Sequence, residues 1–469
     1  MEQAIVSQDV SFKFLHTTEP FLKNINLEIE KGECVLICGG SGSGKTSFSR
    51  LLNGISPHYI EGELTGHLQT FDLKAETTDI EEYVPIVGSV FQNPKTQHFT
   101  VNTTSELAFP LENMGFEPQY IRKKIKEKAK IFEIEHLLDR DIFQLSGGEK
   151  QQIAFVSANM LEPAILILDE VTSNLDQEAI TRIRKMVQLL KARGMTIIIL
   201  EHRLAWTKEL VDRYILFEHG AVKKQWAATD FLQLSNQELY RLGLRSLDLS
   251  SHREKIKNKK KVPSQTNTGL LQTNNLDIGY GKDTVLENLH LNFCPGEVTG
   301  LMGPNGTGKS TLANTLTGFQ SPLSGEIYWN GQKMSAKQLL QKSYLVMQDM
   351  NYQLFSDSVL DEILLGAQSS ENAESIMSSL NLSPYKERHP MSLSEGQKQR
   401  VVIASALLSG KEIIIFDEPT SGLDYDHMER FGRLLNDLKE TTAVILVITH
   451  DEELAARWFN SIIELKQDI

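Results

Sequence analysis

Short, uninterrupted apolar runs recur along the chain and predict buried parallel strands. Cys34–Cys38, 164–168 and Thr196–Leu200 are three such runs in the first half. An apolar run of this length, without alternation, is typical of a strand that is covered on both faces. Residues 24–29 instead alternate apolar and polar side chains, which predicts a strand with one exposed face. With helical patterns between the strands, an α/β fold is indicated.

The same order of elements occurs a second time. Val298–Met302, 412–416 and Val444–Ile448 repeat the three apolar runs. The period is far too long for a solenoid, so the pattern predicts a tandem duplication of one whole domain.

Two domains are expected, at 1–245 and 269–469, joined by a flexible basic linker at 246–268. The stretch 251–261 is rich in lysine and almost free of large apolar residues, which favours a linker. A basic patch for anionic lipid or nucleic acid is the alternative interpretation of the same stretch.

A glycine-rich loop follows the first apolar run of each half. The loops read GGSGSGKT and GPNGTGKS, and both fit the P-loop pattern. Glycines allow backbone N–H groups to turn toward a phosphate, the lysine neutralises the outer phosphates, and the following helix N-terminus favours an anion. The predicted binding residues are Gly39, Gly40, Ser41, Gly42, Ser43, Gly44, Lys45 and Thr46 in the first half, and Gly303, Pro304, Asn305, Gly306, Thr307, Gly308, Lys309 and Ser310 in the second.

An acid ends the second apolar run of each half. Ligands bind at the carboxyl ends of parallel strands, so Asp169 and Asp417 should lie beside the P-loops. We expect them to hold Mg²⁺ together with the hydroxyls of Thr46 and Ser310.

The next residue, Glu170 or Glu418, is placed to polarise an attacking water. His202 and His450 follow the third apolar run at identical intervals from these acids. A neutral imidazole there could hold the γ-phosphate and the water in line. The alternatives are a helix-capping acid and a structural histidine.

An aromatic residue precedes each P-loop at a similar distance. Phe14 and Tyr280 could each stack on an adenine ring. A core or edge-strand aromatic is the alternative for both.

Composition limits the class of protein. The 469 residues carry a formal net charge of −13 at pH 7, which argues against a nucleic-acid-binding surface, and no nucleic acid is expected as a partner. No apolar run approaches the roughly 20 residues of a membrane span, and no signal peptide is visible. We therefore expect a cytosolic chain whose membrane role, if it has one, comes through a partner.

The most distinctive stretches are LSGGEKQQ at 145–152 and LSEGQKQR at 393–400. They resemble the signature of ATP-binding cassette (ABC) ATPases, and the motifs above match that family over both halves. The resemblance implies ATP and Mg²⁺ as ligands, with Gln92 and Gln348 at the metal. It also implies tandem P-loop NTPase domains of α/β class, each with a mostly parallel core sheet, an antiparallel β subdomain and a helical signature subdomain.

The resemblance further implies intrachain, head-to-tail pairing of the two domains around two ATP molecules. One site would combine Lys45 and Glu170 with Ser394 and Gly396, and the other would combine Lys309 and Glu418 with Ser146 and Gly148. ATP would join the halves, and hydrolysis would part them.

Longer stretches at 56–66, 91–99, 106–115 and 346–355 resemble the fused ATPases of energy-coupling factor (ECF) transporters. This implies an integral membrane T component, a substrate-binding S component for a vitamin or metal ion, and a peripheral location on the cytoplasmic face of the cell membrane. T-component helices would dock beside 92–99 and 348–355, for which an ordinary surface loop is the alternative.

Two other functions compete with transport. A soluble twin-cassette ATPase acting on ribosomes shares the motifs, but typically carries a long charged helical linker. A nucleotide-gated clamp without hydrolysis is disfavoured because both catalytic glutamates are present.

Both sites are predicted to hydrolyse ATP, although Val171 replaces the proline found at Pro419, and Glu395 replaces a signature glycine. Glu170→Gln and Glu418→Gln should each lower the steady-state ATPase rate, since each removes one water-polarising carboxylate. An unchanged rate in either single variant would rule out equal use of the two sites.

Overall fold

The computed structural model describes residues 2–15, 17–173, 175–260, 270–367 and 369–465. The chain forms two compact units, the first from Met1–Asp248 with Asp424–Asp426, the second from Leu249–Leu423 with His427–Ile469. Within the described ranges, no helix combines the length and the apolar character that a bilayer crossing requires.

The first unit contains ten strands and nine α-helices among its described residues. They are β1 (Gln3–Phe14), β2 (Leu22–Glu30), β3 (Cys34–Cys38), α1 (Lys45–Leu52), α2 (Ile55–His58), β4 (Gly62–Thr70), β5 (Leu73–Lys74), α3 (Ile80–Tyr83), β6 (Val87–Val90), α4 (Thr103–Asn113), α5 (Pro118–Ile131), α6 (Gly147–Ala158), β7 (Ile165–Asp169), α7 (Gln177–Ala192), β8 (Thr196–Leu200), β9 (Arg213–Glu218), β10 (Ala221–Ala227), α8 (Ala228–Phe231) and α9 (Asn236–Arg241).

The second unit begins with one additional helix and then follows a similar order of strands and helices. Its elements are α10 (Ser250–Lys259), β11 (Leu271–Tyr280), β12 (Asp283–Leu289), β13 (Asn292–Phe293), β14 (Val298–Met302), α11 (Lys309–Thr317), β15 (Ser324–Trp329), β16 (Gln332–Lys333), α12 (Ala336–Lys342), β17 (Ser343–Val346), α13 (Val359–Leu364), α14 (Ala373–Ser379), α15 (Glu395–Leu408), β18 (Ile413–Asp417), α16 (Tyr425–Leu438), β19 (Val444–Ile448), α17 (Glu452–Trp458) and β20 (Ser461–Glu464).

Each unit is built on a central sheet that is mostly or entirely parallel. The order is β10-β9-β3-β8-β7-β6 in the first unit, with only β10 antiparallel, and β17-β18-β19-β14-β20 in the second, which is parallel throughout. A separate antiparallel sheet, β2-β1-β4-β5 or β12-β11-β15-β16, accompanies each central sheet. The predicted architecture is confirmed.

The apolar runs become buried strands because both faces of the central sheet are covered. In β3, Val35 and Ile37 belong to one core, and Cys34, Leu36 and Cys38 belong to the other. Burial raises the pKa of both cysteine thiols to about 12, so they are inert core side chains.

The prediction of a flexible linker at 246–268 is wrong for residues 250–259, which form α10. Two side chains one helical turn apart, His252 and Ile256, are only 5% and 7% exposed. The helix packs on α17 of the same unit, and Arg253 Nε lies 2.9 Å from a carboxylate oxygen of Glu452. Two buried side chains, one of them apolar, and one ion pair therefore order a segment whose composition is that of a linker. Residues 261–269 lie outside the described residues.

Truncation of the buried contact should loosen α10. Ile256→Ala is expected to lower the local free energy of unfolding by about 2 kcal/mol, since it removes most of a buried side chain. Hydrogen exchange of the amides at 250–259 should accelerate accordingly, while exchange in the central sheets stays unchanged. Lys255→Ala, at an exposed position of the same helix, is the control. Equally fast exchange in both variants and the wild type would contradict an ordered α10.

Candidate nucleotide site

The first P-loop joins β3 to α1 with a backbone that only glycine tolerates. Gly39 and Gly44 have φ angles of 142° and 104°. A Cβ at Gly39 would lie 2.2 Å from the carbonyl oxygen of Phe217, and one at Gly44 would lie 2.6 Å from Leu22 Cδ2. The second loop repeats the conformation, with φ 151° at Gly303. The glycines are therefore required by the turn itself, in both loops.

The lysine side chain lies across its own loop in each unit. Lys45 Nζ donates to the carbonyl oxygens of Gly39 and Gly40 at 2.9 and 3.1 Å, and burial lowers its pKa. Lys309 Nζ makes the same two bonds, to Gly303 at 2.8 Å and Pro304 at 2.7 Å. Both ammonium groups are thus within reach of the phosphates that the loops would cradle.

A hydroxyl and an acid meet beside each loop, as expected for Mg²⁺. Thr46 Oγ1 lies 3.3 Å from Asp169 Oδ1. Burial and the neighbouring Glu170 raise the pKa of Asp169 to about 6, against the Thr46 hydrogen bond. Burial likewise raises the pKa of Asp417, which Ser310 contacts.

Hard oxygen donors of this kind suit Mg²⁺, and a bound cation would compensate the buried negative charge. Within the described residues no cluster of three His, Cys, Asp or Glu side chains could hold a metal. Gln348 is exposed just beyond the end of β17. The side chain of Gln92 hydrogen-bonds Glu170.

The predicted catalytic residues of the first unit form one hydrogen-bonded group. Glu170 lies between Gln92, whose Nε2 donates to Oε2 at 3.0 Å, and His202, whose Nε2 is 3.1 Å from Oε1. Burial favours a higher pKa for Glu170, but the His202 contact outweighs it and lowers the pKa. Lys45 Nζ completes the group at 3.4 Å from His202 Nε2. A carboxylate that stays ionised beside a phosphate site can accept a proton from water.

The second unit brings its counterparts together with one difference. His450 Nε2 lies 3.4 Å from Glu418 Oε1, and also 2.8 Å from Asn305 Oδ1 of the P-loop. Glu170 and Glu418 both adopt left-handed backbone, with φ 49° and 51°. Such strain costs about 1 kcal/mol or more and is typical of functional positions.

The two predicted adenine-stacking residues differ. Phe14 is half-buried and packs against Phe12 and Phe21, with ring centroids at 5.1 and 5.5 Å. Tyr280 is 58% exposed, and its hydroxyl lies 3.2 Å from Thr311 Oγ1. The packing of Phe14 on other aromatic rings, in a strand paired on both sides, matches the core-aromatic alternative. Adenine stacking at both positions stays a prediction.

The signature residues begin helices α6 and α15. Ser146 caps α6 by accepting the N–H of Glu149, whose carboxylate accepts the N–H of Ser146 in return. A Cβ at Gly148 would lie 2.8 Å from the Cβ of Ala179, so this glycine allows close helix packing. Ser394 caps α15, with Gly396 in its first turn. Pairing of these residues with the opposite P-loops stays a prediction.

Sequence reasoning did not find Glu201, a buried acid directly before His202. Its only signal is a charge next to an entirely apolar strand, which a solvent-exposed strand end would also show. The Asn305–His450 contact was also not predicted, because spacing alone does not reveal which loop side chain faces the histidine.

Neutralising Asp169 should stabilise the nucleotide-free protein while abolishing Mg²⁺-dependent turnover. Its pKa is raised in the fold from 3.8 to about 6, so above pH 6 the buried charge costs stability, and this cost disappears as the pH falls toward 4. Asp169→Asn is therefore expected to raise the free energy of unfolding by up to about 3 kcal/mol at pH 8, and much less at pH 4. Thermal unfolding at the two pH values measures this, with exposed Asp72→Asn as control. A gain in the free energy of unfolding that is the same at pH 8 and pH 4 would contradict the raised pKa of Asp169.

The family model described as ABC transporter matches residues 22–173 and 286–421. An ABC transporter ATP-binding protein of Treponema denticola is 39% identical over 452 residues, covering 96% of this chain and 92% of the relative. A Bacillus subtilis protein named for HMP/thiamine import is 29% identical, covering 99% of this chain and 90% of the relative.

Among solved structures, the complex of archaeal ribosomal stalk protein aP1 with ribosome recycling factor aABCE1 matches 97% of this chain and 87% of that chain, with a TM-score of 0.65. At 23% identity this likeness concerns the fold alone. The duplicated P-loops and signatures and the family match lead to one conclusion: the chain belongs to the ABC transporter family, as an ATPase with two fused cassettes that uses ATP and Mg²⁺.

Proposed function

We propose that this chain is the ATP-hydrolysing motor of an ECF-type importer, peripheral to the cytoplasmic face of the membrane. It would drive uptake of a vitamin or metal ion through an integral T component and a substrate-binding S component. The observation that carries the proposal is an exposed aromatic loop beside the predicted metal-binding glutamine of each unit, Gln92 or Gln348.

In the first unit, this docking loop comprises residues 92–99. Phe99 is 72% exposed and stacks on Phe109, with ring centroids 5.0 Å apart. The buried carboxylate of Glu106 accepts the backbone N–H groups of Phe99 and Thr100, at 3.1 and 2.9 Å. The buried Glu106 carboxylate thus holds the large apolar side chain of Phe99 out of the core. Exposure of this side chain to water costs free energy unless a partner covers the ring.

The docking loop of the second unit, residues 348–355, has the same design. Tyr352 and Phe355 are 72% and 75% exposed. Glu362 accepts the backbone N–H groups of Phe355 and Ser356, at 2.6 and 2.7 Å. Exposed aromatic anchors on both loops favour a protein helix that buries them, as expected for coupling helices of a T component.

Contacts within the first docking loop connect it to the catalytic group. Gln97 accepts the N–H of Phe91 at 3.0 Å and donates to the carbonyl oxygen of Ser89 at 3.0 Å. Gln92 directly follows Phe91, and its side chain hydrogen-bonds Glu170. A displacement of the loop by a partner would therefore reach the water-polarising carboxylate through one side chain.

Each residue then has a defined role in hydrolysis. The P-loop amides and Lys45 would bind the phosphates, and Thr46, Asp169 and Gln92 would hold Mg²⁺, which neutralises charge on the transferred phosphoryl group. Glu170 would accept the proton of the attacking water. His202 would orient that water and the γ-phosphate, and the second unit would use its counterparts in the same way.

Three further observations support transport over a ribosomal role. One relative is named for HMP/thiamine import, and the chain carries a net charge of −13. Residues 250–259, instead of forming a long free helix, pack on the second unit. Acidic surfaces are repelled by RNA.

Removal of both aromatic anchors should uncouple the ATPase from its membrane partner. When the tagged chain is purified from detergent-solubilised membranes of its own host, we expect stoichiometric polytopic proteins with the wild type. Phe99→Ala with Phe355→Ala should reduce their recovery at least tenfold, because two hot-spot side chains are lost. ATPase activity of the isolated chain should remain within about twofold.

The matched control is Val84→Ala with Leu340→Ala, two exposed apolar residues 47% and 39% accessible beside other helices. These changes should leave recovery unchanged. Uptake of labelled thiamine by cells with and without the chain is the first transport assay. Co-sedimentation with ribosomes, without any polytopic partner, would overturn the proposal in favour of the ribosomal class.

A further inference from the structure

Glu201 is a fully buried acid with four hydrogen-bond donors directed at it. It follows β8 and is 2% exposed. Its Oε1 accepts the backbone N–H groups of His202 at 3.0 Å and Arg203 at 3.2 Å. Its Oε2 accepts the hydroxyl of Thr172 at 2.7 Å and the indole N–H of Trp206 at 3.4 Å. The carboxylate therefore has the hydrogen bonds that an ionised group requires inside a protein.

These partners belong to the two segments that carry the catalytic residues. Thr172 lies two residues after Glu170, on the loop that leaves β7, and His202 lies on the loop that leaves β8. The two loops also meet where the Glu170 N–H donates to the carbonyl oxygen of Leu200 at 2.8 Å. Glu201 thus connects the two loops through hydrogen bonds to both of them. The same loops carry the Glu170 and His202 side chains, which lie 3.1 Å apart.

The second unit makes the equivalent connection without a charge. Thr449 precedes His450 as Glu201 precedes His202, and its hydroxyl lies 3.3 Å from that of Thr420. The Thr449 hydroxyl also accepts the N–H of Asp451 at 3.0 Å. In the second unit, the ring of His450 also contacts Asn305 of the P-loop. The first P-loop has Ser41 at the position of Asn305. His202 therefore depends more on the hydrogen bonds of Glu201.

The groups around Glu201 have opposing effects on the pKa of its carboxyl group. Burial raises the pKa of Glu201, and the charge of Glu170 raises it further, whereas the Thr172 hydroxyl and the Arg203 N–H lower it. A buried acid kept beside another acid is expensive to maintain.

We infer that Glu201 is a positioning residue for ATP hydrolysis at the first site. By accepting hydrogen bonds from Thr172 and from the backbone of His202, it fixes the distance between the Glu170 carboxylate and the His202 ring. It does not touch the nucleotide; it acts through the two residues that would. The two ATP sites are therefore supported by different chemistry, a carboxylate bridge in one and a hydroxyl pair in the other.

The test uses the full-length chain and steady-state ATPase kinetics. Glu201→Thr installs the residue of the second unit, whose one hydroxyl can pair with Thr172 but cannot also accept the N–H groups of His202 and Trp206. Among its described residues, the first unit also lacks a counterpart of the Asn305 contact that holds the histidine of the second unit. Its kcat should fall at least twofold, toward that of Glu170→Gln, because a misplacement of about 1 Å can cost two orders of magnitude at the affected site. KM for ATP should stay within twofold, since the P-loop contacts are untouched. Glu201→Gln keeps the shape and an acceptor oxygen and should restore most of kcat.

A second variant guards against misfolding. Thr172→Val removes the other end of the bridge and should give the same loss of kcat at unchanged KM. In the Glu170→Gln background, Glu201→Thr should cause no further loss, because both changes disable the same site. Thr207→Val, which removes a buried hydroxyl that donates to Leu204 instead, is the control and should retain wild-type kcat.

Several results would overturn the inference. These are a wild-type kcat in folded Glu201→Thr or Thr172→Val, a parallel rise in KM, or an additive loss in the Glu170→Gln background. A fall in kcat with Thr207→Val equal to that with Glu201→Thr would assign Glu201 a role in general stability. ATPase activity belongs to the family, so a failed membrane purification would not affect this test.

Discussion

The acids and the histidine of the nucleotide site lie where buried, mostly apolar strands end. β7 and β8 are buried along their whole length and are apolar apart from Thr196 and the terminal Asp169, so the acids and the histidine are confined to the last ladder pair and the residues just after it. Asp169, Glu170 and His202 occupy these places, and Lys45 reaches them from α1. Their mutual contacts compensate a burial that none of them could bear alone. The apolar sheet thereby concentrates the chemistry at one edge.

This constraint explains how much could be predicted from sequence. A strand with both faces covered leaves an unbroken apolar run, so Thr196–Leu200 was located to the residue. The P-loops and paired acids follow such runs directly, and the structure places them together as expected. Their catalytic roles remain predictions, because geometry alone does not demonstrate turnover.

The elements that escaped prediction depend on partners distant in sequence. Helix α10 has only two buried side chains, and a pattern so sparse cannot be distinguished from a solvated linker. Phe14 could have faced solvent or its aromatic neighbours, and only the path of β1 decides between them. Glu201 appears in the sequence as a charge at a strand end, and its four donors come from residues up to 29 positions away.

The position of α10 also changes where the two cassettes are connected. Lys260 bridges to Ile462, and Leu271 opens the strand that pairs with β15, so both ends of residues 261–269 are anchored in the second unit. The connection between the two cassettes therefore lies before α10 and not after it. A tag or a reporter inserted between Lys260 and Leu271 would leave the length of that connection unchanged.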